Sequence, residues 1–150
     1  MKTKILTLAL FAFLFANETH AQDVTTINAK NSDISDNLDL RAVASIFGDS
    51  ENLEDFERRL NDPKNQISNL DLNNDRQVDY LRVIESVERN THLIILQAVL
   101  ERDVFQDVAT IEVERDNNNN VQVQVVGDVY MYGSNYIYEP VYLSRPMIYS

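Results

Sequence analysis

Residues 71–79 read Asp-Leu-Asn-Asn-Asp-Arg-Gln-Val-Asp, so side-chain oxygens recur at Asp71, Asn73, Asp75 and Asp79, with the Gln77 carbonyl between the last two. Alternate positions of a tight loop turn their oxygens inward, and a Ca²⁺ ion takes about six to eight oxygens at once. The chemistry that this spacing suits is cation binding by Asp71, Asn73, Asp75, Gln77 and Asp79. The same residue types also fill solvated hairpin turns, because Asp and Asn hydrogen-bond nearby backbone and accept left-handed conformations. Against a plain turn stands the mutual repulsion of three carboxylates in so short a stretch, unless a cation or Arg76 offsets it.

The pattern Asp71, Asn73, Asp75, Val78 and Asp79 resembles the calcium loop of EF-hands and dockerins. Because strands rather than helices are predicted on both sides, the strand-flanked loops of integrin-type propeller repeats are the nearer likeness. The resemblance covers residues 71–79 alone; it implies a bound Ca²⁺ and a Val78 turned into the sheet, and carries over no fold or partner. Arg76 stands where such loops usually have Gly, which predicts a strained backbone or a different turn at that residue. Arg82 stands where EF-hands place a bidentate Glu. Unless Glu85, water or another segment contributes, weak, millimolar-range binding is the expectation, as suits an extracellular site.

A second concentration of functional residue types is the tail. All the tyrosines except Tyr80 lie from Tyr130 onward, in a stretch with few charges that also holds Gly133, Pro140 and Pro146. Tyrosine presents a large apolar face with a polar tip at small entropic cost, so Tyr130, Tyr132, Tyr136, Tyr138 and Tyr142 are candidates for partner binding. They equally suit an edge hairpin turned at Gly133 to Asn135, or a segment without fixed structure. The apolar terminus Met147, Ile148 and Tyr149 implies that the tail docks on something.

Elements that position these features follow from periodicity. Lys2 and Lys4, an apolar run from Ile5 to Ala16, and a polar stretch ending at Ala21 make the order of a cleavable signal peptide over 1–21; the run is too short to span a bilayer. The expected location is therefore periplasmic or secreted, with no membrane span after cleavage. Residues 22–37, rich in Asp, Asn, Ser and Thr, read as a flexible leader. Leu40, Val43, Ala44 and Phe47 at helical spacing behind Asp39 predict a helix stopped by Gly48; Leu53, Phe56 and Leu60 predict a second, ended by Pro63. Strands are predicted over 67–72, 78–87, 92–100, 109–113 and 121–125, the last two joined by a hairpin at Asp116 to Asn120. The fold class is then α+β, with one or two N-terminal helices packed on a four- to five-stranded antiparallel sheet over 38–128, followed by the Tyr-rich tail 129–150.

Composition removes several activities. The formal net charge is −11, and loss of Lys2, Lys4 and Glu18 with the signal makes the remainder more acidic, which opposes binding of nucleic acid. With no cysteine and, after the signal, only His92, neither a thiolate nucleophile nor a zinc site of the usual type is available. Gly48, Gly127 and Gly133 stand alone, so there is no glycine loop for phosphate. The plan of signal, acidic loop, antiparallel sheet and aromatic tail resembles secreted proteins of unassigned activity in Gram-negative bacteria. The reading is a non-catalytic secreted or periplasmic domain with a structural calcium loop, meeting an unidentified envelope or extracellular partner through the Tyr tail. The alternative is a small secreted hydrolase that uses carboxylates, such as Asp49 with Glu51 or Glu112 with Glu114, and needs two close acids in a concave pocket.

Overall fold

The computed structural model describes residues 32–150; the signal and the leader up to residue 31 lie outside the described residues. Apolar–polar alternation in the later strands, and a nearly continuous apolar run in the second, build β1 (Tyr80–Glu88), β2 (Thr91–Glu101), β3 (Val104–Arg115) and β4 (Val121–Gly127). With β5 (Ile137–Tyr138) they form one antiparallel sheet in the order β1-β2-β3-β4-β5. The turns use left-handed residues: Arg89 between β1 and β2, Asp103 between β2 and β3, and Asn119 between β3 and β4. At the last of these, Asp116 accepts from the N–H groups of Asn118 and Asn120 at 2.8 and 2.9 Å, closing the predicted hairpin.

One face of the sheet is apolar, carrying Leu81, Ile94, Leu96, Ile111 and Val125 into the core. Leu96 faces Ala109 while Gln97 faces Asp107, so Val108 is the extra residue of a β-bulge, and both Val108 and Ala109 are buried. The opposite face is mixed: Ile84, Ile95 and Val126 lie on it beside a polar row in which Arg82 donates to Gln97 at 2.7 Å and Gln97 donates to Asp107 at 2.5 Å.

Among the described residues four short helices accompany the sheet: α1 (Ser32–Asn37), α2 (Leu40–Asp49), α3 (Leu53–Leu60) and α4 (Val129–Tyr132). The segment 32–37, read from composition as the end of a flexible leader, is thus helical. Asp39 caps α2 by accepting from the Arg41 N–H, and Asn52 caps α3 by accepting from the Asp55 N–H, both at 2.8 Å. Phe47 and Phe56 meet edge to face with ring centroids 5.4 Å apart, joining α2 to α3. Gly48 lies inside α2 rather than ending it, because a Cβ there would sit 2.5 Å from the Tyr142 ring.

The predicted strand over 67–72 does not form. This stretch makes a single antiparallel bridge, Leu38 to Ser68, and runs alongside the link between α1 and α2, with Asn69 donating to the Asn37 carbonyl at 2.8 Å. Ile67, Leu70 and Leu72 are spaced by three and then two, so they keep no single strand face, and the stretch docks its apolar residues singly. The tail also departs from the expected hairpin. Tyr130 and Tyr132 lie in α4, and the chain returns as β5 against β4.

The outer edge of β1 would expose backbone groups to water or to another chain. α3 covers half of it: Asn61 accepts from the Leu81 N–H and donates to the Leu81 carbonyl, both at 2.8 Å, while Glu57 accepts from the Val83 N–H at 2.6 Å. Asn61→Ala leaves both groups of fully buried Leu81 without these partners, and the expected loss of unfolding free energy is about 1–3 kcal/mol, read by chemical denaturation. A change within about 0.5 kcal/mol would show that the helix does not anchor the strand.

Candidate functional site

The acidic loop joins the irregular 67–70 stretch to β1. Buried Leu70 and Leu81 fix its two ends, and the Asp79 N–H donates to the Leu70 carbonyl at 2.7 Å, so the loop closes on itself. Inside it, the carboxylates cap backbone N–H groups. Asp71 accepts from Asp75 and Arg76 at 3.1 and 2.9 Å, Asp75 accepts from Gln77 at 2.8 Å, and Asp79 accepts from Leu72 at 2.6 Å. Asn73 accepts from the Asp75 N–H at 3.1 Å and donates to the Leu100 carbonyl at 2.7 Å, tying the loop to the end of β2. The sharp turn falls on Asn74 and Arg76, at φ 59° and 67°; Arg76 thus takes the left-handed backbone that these loops usually give to Gly.

This geometry brings Asp71, Asp75 and Asp79 together: one carboxylate oxygen from each lies within 4.8 Å of the others, and the three could hold a metal ion. Asn73 belongs to the same turn, and Gln77 enters it through its N–H. Asp79 is only 5% exposed. Burial pushes its pKa up, and the neighbouring charges of Asp71 and Asp75 push the same way, opposed by the Leu72 N–H. Among the described residues no basic side chain forms an ion pair with any of the three.

Three residues near the loop are turned elsewhere. Val78, predicted to point into the sheet, is 57% exposed. Strand alternation explains it: with Leu81 inward, Asp79 is inward and Val78 outward. Arg82 lies on the face of the sheet away from the core, its guanidinium 3.3 Å above the Phe105 ring centroid. Glu85, one of the alternatives for a missing ligand, is taken by His92, whose Nδ1 is 2.8 Å from Glu85 Oε1, and the contact holds the Glu85 carboxyl below its ordinary range.

The five candidate tyrosines do not form one surface. Tyr132 is fully buried and donates to the Leu38 carbonyl at 2.8 Å, and Gly127 makes room for its ring, since a Cβ there would lie 2.7 Å away. Tyr142 donates to the Ala44 carbonyl at 2.7 Å. Burial raises the pKa of both phenols. Tyr136 and Tyr138 pack partly buried against the core, leaving Tyr130, 88% exposed, as the open ring of the five. Tyr149 stacks on His92 with centroids 3.8 Å apart, and its carbonyl accepts from Arg115 at 2.5 Å. Tyr132, Tyr142 and Tyr149 thus pack against the domain, with Ile148 buried beside them.

Sequence reading missed the Leu72 N–H that holds Asp79 and the Leu100 carbonyl that holds Asn73. Neither leaves a side-chain signal, because both are backbone groups supplied by the fold. No family model matches this chain, nor does any curated protein or solved structure.

The folded state raises the Asp79 pKa above its ordinary 3.8, so it holds that proton more tightly than the unfolded chain does. The sign follows from linkage: stability is greatest below the unfolded value, falls as pH rises through the folded value, and stays lower above it. Asp79→Asn keeps an acceptor for Leu72 without the charge. In chelator the variant is expected to melt above the parent at pH 7, with the gap closing near pH 3; a parent that melts higher at pH 7 would contradict the repulsion.

Proposed function

We propose that this chain is a non-catalytic secreted or periplasmic domain whose N-terminal helices cover one face of its antiparallel sheet and whose acidic loop holds a structural Ca²⁺. Asp71, Asp75 and Asp79 are the carboxylate ligands; Asn73 and the Gln77 carbonyl complete the set with water. What carries this reading is the convergence of three carboxylates, one of them buried, without a basic partner. Ligands to a common Ca²⁺ sit about 2.3–2.6 Å from it, so two of them lie at most about 5 Å apart. The 4.8 Å limit on the three oxygens meets that condition.

The donors are all oxygen, which selects a hard cation over zinc or copper. Mg²⁺ demands a near-ideal octahedron, whereas Ca²⁺ accepts an irregular shell, as a loop with three carboxylates and backbone oxygens supplies. An export signal, an acidic chain and a weak site fit a compartment where calcium is abundant. The partner is an envelope or extracellular protein, and nucleic acid is disfavoured by the charge. The partner-facing part of the tail narrows to Tyr130 and the exposed Val141 and Leu143.

One observation favours the hydrolase alternative: Asp79, a buried acid of raised pKa, borders a pocket of about 420 Å³ that Asp62 also lines. Calcium separates the two readings. With a dissociation constant near 1 mM, 10 mM Ca²⁺ adds about 1.4 kcal/mol, or a melting shift of roughly 5 °C, by thermal unfolding against chelator. The shift is expected to vanish in Asp75→Ala. No shift in the parent would overturn the calcium site and leave the Asp79 pocket as the reading to pursue.

A further inference from the structure

β4 pairs with β5 at Val125 with Tyr138 and Val126 with Ile137, and the Gly127 N–H donates to the Tyr136 carbonyl at 2.8 Å. The backbone groups of β4 that face outward are therefore those of Gly127, Val125, Val123 and Val121, every second residue. Extending the register places Pro140 opposite Val123. Proline has no N–H to give the ladder, so β5 stops after Tyr138 and the chain swings away through residues 139–146. Among the described residues nothing pairs with the outward N–H and C=O of Val121 and Val123.

Between that open edge and the departing tail lies a groove of about 670 Å³. Gln122 and Gln124 line it from β4, Glu112 and Glu114 from β3 behind them, and Glu139 and Arg145 from the tail. The three glutamates form no ion pair among the described residues, and Arg145 donates to the Asn119 carbonyl at 3.1 Å, at the hairpin end.

We propose that this groove receives an extended basic peptide segment of a partner protein, which adds to the free edge of β4 as a strand. Val121 and Val123 supply the main-chain hydrogen bonds, the usual source of affinity in strand addition. Alternate side chains of the added strand fall beside Gln122 and Gln124, and neighbouring strands are about 4.8 Å apart, so a lysine or arginine laid across β4 reaches Glu112 and Glu114. A second copy of the chain is the wrong occupant on charge. Its β4 would bring the same glutamates and a net charge of −11 against this face. β4 and β1 lie towards opposite sides of the sheet, so the proposal does not depend on the calcium loop.

The test uses the chain from Gln22 onward and a fluorescent octapeptide alternating Lys and Thr, followed by anisotropy with and without Ca²⁺. The same peptide N-methylated on alternate amides, in either register, keeps its charge and loses one hydrogen-bonding edge. Binding of the plain peptide is expected, weakened at least tenfold by N-methylation in one register and about three- to tenfold in the Glu112→Gln, Glu114→Gln variant, with a Glu-Thr peptide silent. The variant changes one half-buried and one exposed polar group, neither in the core, and is checked for folding by circular dichroism. Equal binding of both N-methylated peptides would reduce the effect to charge adhesion and overturn the proposal, as would no binding, or a protein dimer that the peptide dissociates.

Discussion

An antiparallel sheet with one apolar face is stable only while that face is kept from water. Here the cover is drawn from both sides of the sheet in the sequence. Tyr132 reaches back to the Leu38 carbonyl and Tyr142 to the Ala44 carbonyl, across 94 and 98 residues, and Gly127 and Gly48 admit the two rings. The Tyr-rich tail is therefore a structural closure before it is anything else. Burying that one face also fixes which residues of each strand point inward.

The acidic loop shows the consequence. Leu81 belongs to the buried face, alternation then carries Asp79 inward, and the Leu70 carbonyl and Leu72 N–H clamp it there. A carboxylate forced into that position beside Asp71 and Asp75 is unfavourable alone and favourable around a divalent cation. The proposed calcium site would be a weak one, given its small ligand set and the left-handed turn at Arg76. At the far side, one proline has the opposite effect on order, ending β5 early and leaving backbone groups of β4 open beside a row of glutamates.

Much of the sheet was legible because 92–100 is a nearly continuous apolar run, because period-two alternation in 109–113 and 121–125 is a strong local signal, and because Asp116 to Asn120 can hardly be other than a turn. The stretch 67–72 was misread, since apolar residues in a short polar segment look alike whether they pair in a sheet or dock singly. The leader was misread at 32–37 because composition reports the lack of an apolar stripe, not the tertiary contacts that can hold a short helix. Spacing alone brought out the three aspartates; the direction of Val78, the capture of Glu85 by His92 and the burial of Tyr132 depend on strand parity and long-range packing. No local pattern encodes those.

The most direct measurement is a calcium titration followed in amide proton–nitrogen NMR spectra. The account predicts saturating shifts, with a millimolar midpoint, confined to the amides of Leu72, Asp75, Arg76, Gln77 and Asp79 and to the neighbourhood of Leu100. Small shifts that do not saturate and are spread over acidic surface positions such as Glu51, Glu112 and Asp116 would mean that the chain only gathers counterions, and would contradict a built calcium site.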